Sequence, residues 1–145
     1  MVFFCESIEE TQKVAKKLAK KTPPGSVIAL IGELGAGKTT FTKGFAIEMG
    51  VKDPVTSPTF KLVSEYKGKK YVLNHVDAYR MDGPMDFLNI GGEEYLTSKN
   101  SITIIEWGDL LADLLSEETI TVHFKRIKIP KESRRIEIRG IKIDR

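Results

Sequence analysis

The spacing of apolar residues changes several times along this chain, and each change marks an element. Val2-Phe3-Phe4-Cys5 reads as a short opening strand over 1–5. Apolar positions 8, 14, 15, 18 and 19 then share one helical face, with Ser7 and Glu10 forming a capping box and Pro23-Pro24-Gly25 stopping the helix. The continuous run Val27-Ile28-Ala29-Leu30-Ile31 is that of a strand buried on both faces. Apolar residues at 41, 45, 46 and 49 predict a helix over 39–49, closed by Gly50.

Residues 60–66 and 71–77 read as two strands of a hairpin around Lys67-Gly68-Lys69-Lys70. Short helical pieces are expected between Pro84 and Leu96, interrupted by Gly91-Gly92, followed by a buried strand over 102–105 and a short helix over 109–115. In the tail, apolar residues alternate at 120, 122 and 124, shift phase to 127 and 129, and after a turn at Pro130 fall at 136, 138, 141 and 143. Each phase slip predicts a bulge, at Lys125-Arg126 and at Arg139-Gly140. No repeat or low-complexity stretch interrupts residues 1–145, which read as one domain. The expected architecture is an α/β three-layer sandwich around a mixed sheet with an antiparallel portion.

Between the first buried run and its helix lies Gly32-Glu33-Leu34-Gly35-Ala36-Gly37-Lys38-Thr39, which fits G-x-x-x-x-G-K-[ST] at every fixed position. Strand, glycine loop and helix follow in the order that a phosphate cradle requires. Gly35 and Gly37 free backbone N–H groups to face an anion, and the helix N-terminus adds its dipole. Lys38 is placed to reach the β and γ phosphates, Thr39 to ligate Mg²⁺, and Thr40 stands beside them. The fold class sharpens accordingly to a P-loop NTPase-like sandwich. No guanine-reading Asn-Lys-x-Asp motif occurs, which favours ATP over GTP.

Composition excludes more than it adds. The 145 residues have the apolar and charged content of an ordinary soluble protein. No apolar run approaches a membrane span, and no basic-then-apolar leader opens the chain. Cys5 is the only cysteine, which excludes an intrachain disulfide and fits a reducing cytoplasm. Net charge is +3, yet residues 125–145 hold nine basic and three acidic residues. That excess reads as the solvated face of a hairpin, or as a docking surface for RNA or an acidic partner.

Hydrolysis or transfer also needs a carboxylate at the end of a neighbouring strand. Glu106 ends the uniformly apolar 102–105 run and is the stronger candidate for a direct or indirect Mg²⁺ ligand, together with Thr39. Asp77 ends a more polar strand and is expected in a mobile loop, orienting attacking or metal-bound water. Val55-Thr56-Ser57-Pro58-Thr59 suits either a γ-phosphate sensor, through Thr56 and Thr59, or a rigid turn. His75 reads as a hydrogen-bonded structural histidine. Arg80 reads as a partner of a carboxylate or phosphate, and Trp107 as packing the strand end or stacking on a ligand or partner. Arg134 and Arg135 are the only candidates for the arginines of a kinase lid.

Taken together, residues 32–41, Thr-Ser-Pro-Thr-Phe at 56–60, His-Val-Asp-Ala-Tyr-Arg at 75–80 and Ile-Glu-Trp at 105–107 resemble the TsaE (YjeE) family of small bacterial P-loop ATPases. The resemblance implies an ATP-binding and hydrolysing subunit for threonylcarbamoyladenosine modification of tRNA, slow on its own. TsaB- and TsaD-type partner proteins would transfer the threonylcarbamoyl group. It also implies ATP/ADP and Mg²⁺ held by the 33–40 loop, a switch-like 56–59 segment and hydrolytic dependence on Asp77. Trp107 is implied to be functional, and Thr11 to lie near the base. Glu33 stands where the family often has Asp, and the tail is unusually basic, so tRNA contact is expected indirectly or through that tail. A small-metabolite P-loop kinase, with Asp77 activating an acceptor hydroxyl, is the alternative.

Overall fold

Buried runs and amphipathic stretches sort this chain into a single seven-stranded sheet between two helical layers. The computed structural model describes residues 1–33, 35–58 and 62–144. In chain order the elements are β1 (Val2–Cys5), α1 (Ile8–Lys21), β2 (Val27–Gly32), α2 (Lys38–Glu48), β3 (Val63–Lys67), β4 (Val72–Asp77), α3 (Pro84–Asn89), α4 (Gly92–Thr97) and β5 (Ser101–Glu106). A 3-10 segment (Gly108–Leu114), β6 (Ile120–Ile127) and β7 (Ser133–Arg139) complete it. The sheet order is β1-β7-β6-β2-β5-β4-β3. β6, β2, β5 and β4 run parallel to one another, while β3 on one side and β7 with β1 on the other add antiparallel strands. Predicted residues Leu34, Thr59 and Phe60 lie outside the described residues.

Helix α1 forms where expected because Ser7 Oγ accepts from Glu10 N at 3.1 Å. The reciprocal half of the box is displaced by one residue, with the Glu10 carboxylate accepting from Glu6 N. Thr22 closes the helix, its hydroxyl and its N–H both donating to Leu18 O. Val14, Ala15 and Leu18 are buried against α2, Phe41 and Phe45 against the sheet, and Phe41 meets Phe124 of β6 edge-on at 5.4 Å. Each such large side chain contributes about 2 kcal/mol by leaving water. A second cluster on the opposite face joins Val76, Ile105, Phe87 and Leu111 under α3, α4 and the 3-10 segment. That gives the expected three layers.

Three details depart from expectation. The 109–115 helix is a 3-10 segment one residue earlier. Neither tail bulge exists: β6 and β7 pair one-to-one from Thr121↔Arg139 to Ile127↔Ser133. Ile120, Val122 and Phe124 are buried, but Ile127 is half-buried and Ile129 is 85% exposed, so the phase shifts because the hairpin outruns the core. At the other slip, Gly140 simply ends β7 in a left-handed conformation (φ +94°). Finally, Asp77 is not in a loop; it is the last residue of β4, paired with Glu106.

Candidate functional site

The cleft opens where β2, β4 and β5 end together. At the end of β2, a Cβ on Gly32 would lie 2.7 Å from Phe124 O, so only glycine lets the loop leave between its neighbours. Gly37 then turns the chain into α2 with φ +105° and no side-chain cap. The N–H groups of the first turn therefore have no acceptor within the helix and face outward at its positive end. Ala36 beneath the loop is fully buried, and exposed Glu33 contributes its carbonyl.

Lys38 is only 5% exposed. Its Nζ donates to Gly32 O and, at 3.0 Å, to Glu33 O, and sits 3.9 Å above the Trp107 ring. Burial lowers its pKa below that of an ordinary lysine, partly opposed by Glu106, Asp109, Asp77 and Glu33. Thr39 Oγ1 donates to Glu106 Oε1 at 3.0 Å and stands 3.0 Å from Ser57 Oγ. On its other side Glu106 Oε2 accepts from the Nε2–H of His75, which is completely buried. His75 is thus structural, as expected, but it is the residue that holds the carboxylate.

Asp77 stands beside Glu106, and Tyr79 N donates to its Oδ1 at 3.0 Å. Burial raises its carboxyl above the usual carboxylate range; Tyr79 N, His75 and Arg80 pull the other way, and Glu106 adds to the rise. Trp107 occupies the left-handed region (φ 60°), a strain of about 1–3 kcal/mol for a bulky residue. That conformation sets its ring over Lys38 and 4.9 Å from Tyr79.

The resulting cleft is about 390 Å³, within the range of small-molecule sites. Gly35, Gly37, Lys38, Thr39 and Thr40 form its floor. Asp77, Tyr79, Arg80, Glu106 and Trp107 form one side, with Ser57 and Arg134 completing the rim. Four predicted residues do not line it: Glu33 and Ala36 of the loop, Thr11 and Thr56. Thr11 is fully buried behind Gly37, its hydroxyl donating to Ser7 O, and Thr56 is exposed with its N–H directed to Tyr66 Oη. Thr59 and Leu34 lie outside the described residues. Ser57 was the missed member of the hydroxyl-rich segment, and its neighbour's contact could have been any of three hydroxyls by sequence. Arg134 was weighed as part of a kinase lid and counted in the basic tail, not as a residue of this cleft.

The donor set fits a polyphosphate and a hard divalent cation. Uncapped amides and an ammonium meet an anion, while a hydroxyl and two carboxylates supply oxygen. No cluster of three His, Cys, Asp or Glu side chains able to hold a metal occurs among the described residues.

This strand–loop–helix cleft, on a sheet with a parallel centre, defines a protein of the P-loop NTPase-like class. The family model "Threonylcarbamoyl adenosine biosynthesis protein TsaE" matches residues 5–136. A Bacillus subtilis (strain 168) protein named tRNA threonylcarbamoyladenosine biosynthesis protein TsaE is 41% identical over 118 residues, covering 81% of this chain and 73% of its own. One of the same name from Treponema pallidum (strain Nichols) is 37% identical over 119 residues, covering 82% and 87%. The crystal structure of Bacillus subtilis YdiB superposes with a TM-score of 0.74 at 35% identity, covering 94% of this chain and 82% of that one. The chain belongs to the TsaE family.

Proposed function

We propose that this protein is the Mg²⁺-dependent ATPase of the machinery that installs threonylcarbamoyladenosine on tRNA. The observation that carries the reading is the convergence of Lys38, Thr39, Glu106 and Asp77 on one cleft in a member of this family. The loop amides and Lys38 hold the β and γ phosphates. Thr39 and Glu106 are the residues that would hold Mg²⁺, which supplies charge neutralisation of the phosphates when bound. Asp77 orients the attacking water, and Trp107 with Tyr79 walls the cleft from solvent. Exposed Arg80 is the only arginine on the carboxylate side of the cleft among the described residues, and turnover by the isolated chain is slow.

Partners of the TsaB and TsaD type complete the reaction in the cytoplasm, and hydrolysis resets their complex between turnovers. No described helix is long and apolar enough to cross a membrane.

Calorimetric titration with ATP and Mg²⁺ tests the site: Lys38→Ala abolishes affinity, and Glu106→Ala weakens the Mg²⁺-dependent part. Unaltered affinity in both variants would overturn the assignment. A reconstituted modification assay with wild-type and Asp77→Asn protein tests the role. Full modification by the hydrolysis-deficient variant would leave only a nucleotide-gated binding module. ADP formed solely in the presence of a small acceptor would identify a kinase instead.

A further inference from the structure

The C-terminal hairpin places its charges in an arrangement that the fold alone does not explain. In the β6–β7 register Arg126 stands directly opposite Arg134, and Lys125 opposite Arg135, two consecutive like-charge pairs across the strands. Such pairs are unfavourable unless an anion answers them. Arg126 is answered, its Nε donating to Glu132 Oε1 at 3.0 Å, and Arg135 approaches Glu137 at 3.6 Å. Lys125 is exposed to water. Arg134 has no carboxylate within ion-pair distance among the described residues, and its Nε is buried with no hydrogen-bond partner.

Its position gives that unanswered charge a use. Arg134 shares the sheet face of buried Ile136 and Ile138, the face on which α2 packs. There it lies across the phosphate loop: a Cβ built on Gly37 would meet its Cδ and Nε at 3.0 Å. It also lines the cleft with Gly35, Lys38 and Thr40.

The strand order then decides which end of a ligand it meets. β6 and β7 lie on one side of β2, whereas β5 and β4, which carry Glu106 and Asp77, lie on the other. With the cation-binding pair Thr39 and Glu106 marking the terminal-phosphate end, the nucleoside end points toward the hairpin.

We propose that Arg134 is a nucleotide-binding residue supplied by the C-terminal hairpin, which grips the phosphate nearest the nucleoside. This inference rests on the nucleotide reading of the cleft. It separates Arg134 from an arginine finger, because a group on the nucleoside side holds ATP and ADP alike and does not follow the charge that develops at the terminal phosphate. The close approach of its side chain adds a steric reason for glycine at 37, where the left-handed φ of +105° already favours it.

The test compares wild type, Arg134→Gln and Arg134→Lys by calorimetric titration with ADP and with ATP–Mg²⁺, alongside phosphate release at saturating ATP. Loss of a charge-assisted contact to phosphate lowers affinity for both nucleotides by about 10- to 100-fold in Arg134→Gln. kcat stays within about twofold, and Arg134→Lys recovers part of the affinity. Unchanged affinities in Arg134→Gln overturn the proposal. So does a collapse of kcat with affinity intact, which would make Arg134 a finger. Absence of binding by wild type sinks the nucleotide reading itself, a separable result. Thermal unfolding of the ligand-free variants guards against misfolding. Relief of the Arg126–Arg134 opposition leaves Arg134→Gln at least as stable as wild type, and a marked loss of stability would instead assign the arginine a structural role.

Discussion

Removing the imidazole of His75 measures how firmly the fold holds the carboxylate at the centre of the cleft. The His75 side chain is 0% exposed and that of Glu106 6%, so water cannot replace the bond between Nε2 and Oε2. Removing the donor of a buried hydrogen bond to a carboxylate costs about 1.5–3 kcal/mol. His75→Ala costs about 2 kcal/mol, because the Thr39 hydroxyl still donates to Glu106. Glu106→Ala removes the charge but leaves a buried N–H without an acceptor, at about 2 kcal/mol. The double variant leaves neither orphan. Its destabilisation therefore falls short of the sum of the singles by about 2 kcal/mol. Urea unfolding of the four ligand-free proteins reads this directly. With a slope of about 1–3 kcal/mol per molar urea, each single variant shifts the midpoint by roughly 1–2 M. Domains of this kind have about 5–15 kcal/mol in hand, so the single variants remain folded. Additivity within about 0.5 kcal/mol would refute the claim that His75 anchors Glu106.

Asp77→Asn separates stability from function. Because burial raises the Asp77 carboxyl, the native state holds that proton more tightly than the unfolded chain, so the stability tied to it is full below the unfolded carboxylate pKa and is lost as pH rises through the native value. At pH 7 the ionised group is a net cost, and Asn removes it while its Oδ1 still accepts from Tyr79 N. The ligand-free variant melts above wild type at pH 7, the gap closes below about pH 4, and phosphate release falls by about 100-fold or more. Scanning calorimetry across pH showing an unchanged or lower melting temperature at pH 7 contradicts this.

Gly44→Ala tests the α1–α2 contact away from the cleft. The new Cβ would lie 2.7 Å from Gln12 Cα, which is backbone and cannot move aside, so overpacking of about 1–3 kcal/mol outweighs a helix-propensity gain of up to about 1. Denaturant unfolding shows the loss, while ATP affinity stays within about twofold. Trp107, the only tryptophan, reports the cleft directly: nucleotide draws the Lys38 ammonium from its ring, and emission changes with a midpoint equal to the calorimetric one. Constant emission across a calorimetrically proven titration would mean Lys38 stays where it is.

What could be read from the sequence depended on how far along the chain the responsible physics extends. The phosphate loop was legible because strand, glycines, lysine and helix all lie within about twenty residues, and glycine at 32 and 37 answers to backbone geometry. The buried character of 102–105 located Glu106 for the same reason. β4 was harder, since Asn74 and His75 look too polar for a central strand. They are buried because Asn74 Nδ2 donates to Ser101 and Thr103, and His75 to Glu106, partners about thirty residues away that no hydropathy window contains. Asp77 was accordingly read at the end of a strand but assigned to a mobile loop, whereas it is held in the ladder opposite Glu106. In the tail, the alternation of apolar residues was taken as a record of pairing when it records cover. The ladder runs on without a bulge after α1 and α2 cease to shield it, and the residues freed from the core are basic. One of them, Arg134, belongs to the cleft only because β7 returns beside β6 and β6 lies beside β2, a placement set by sheet order. The local motif states which anion is held, and the topology decides which distant side chains are brought to hold it.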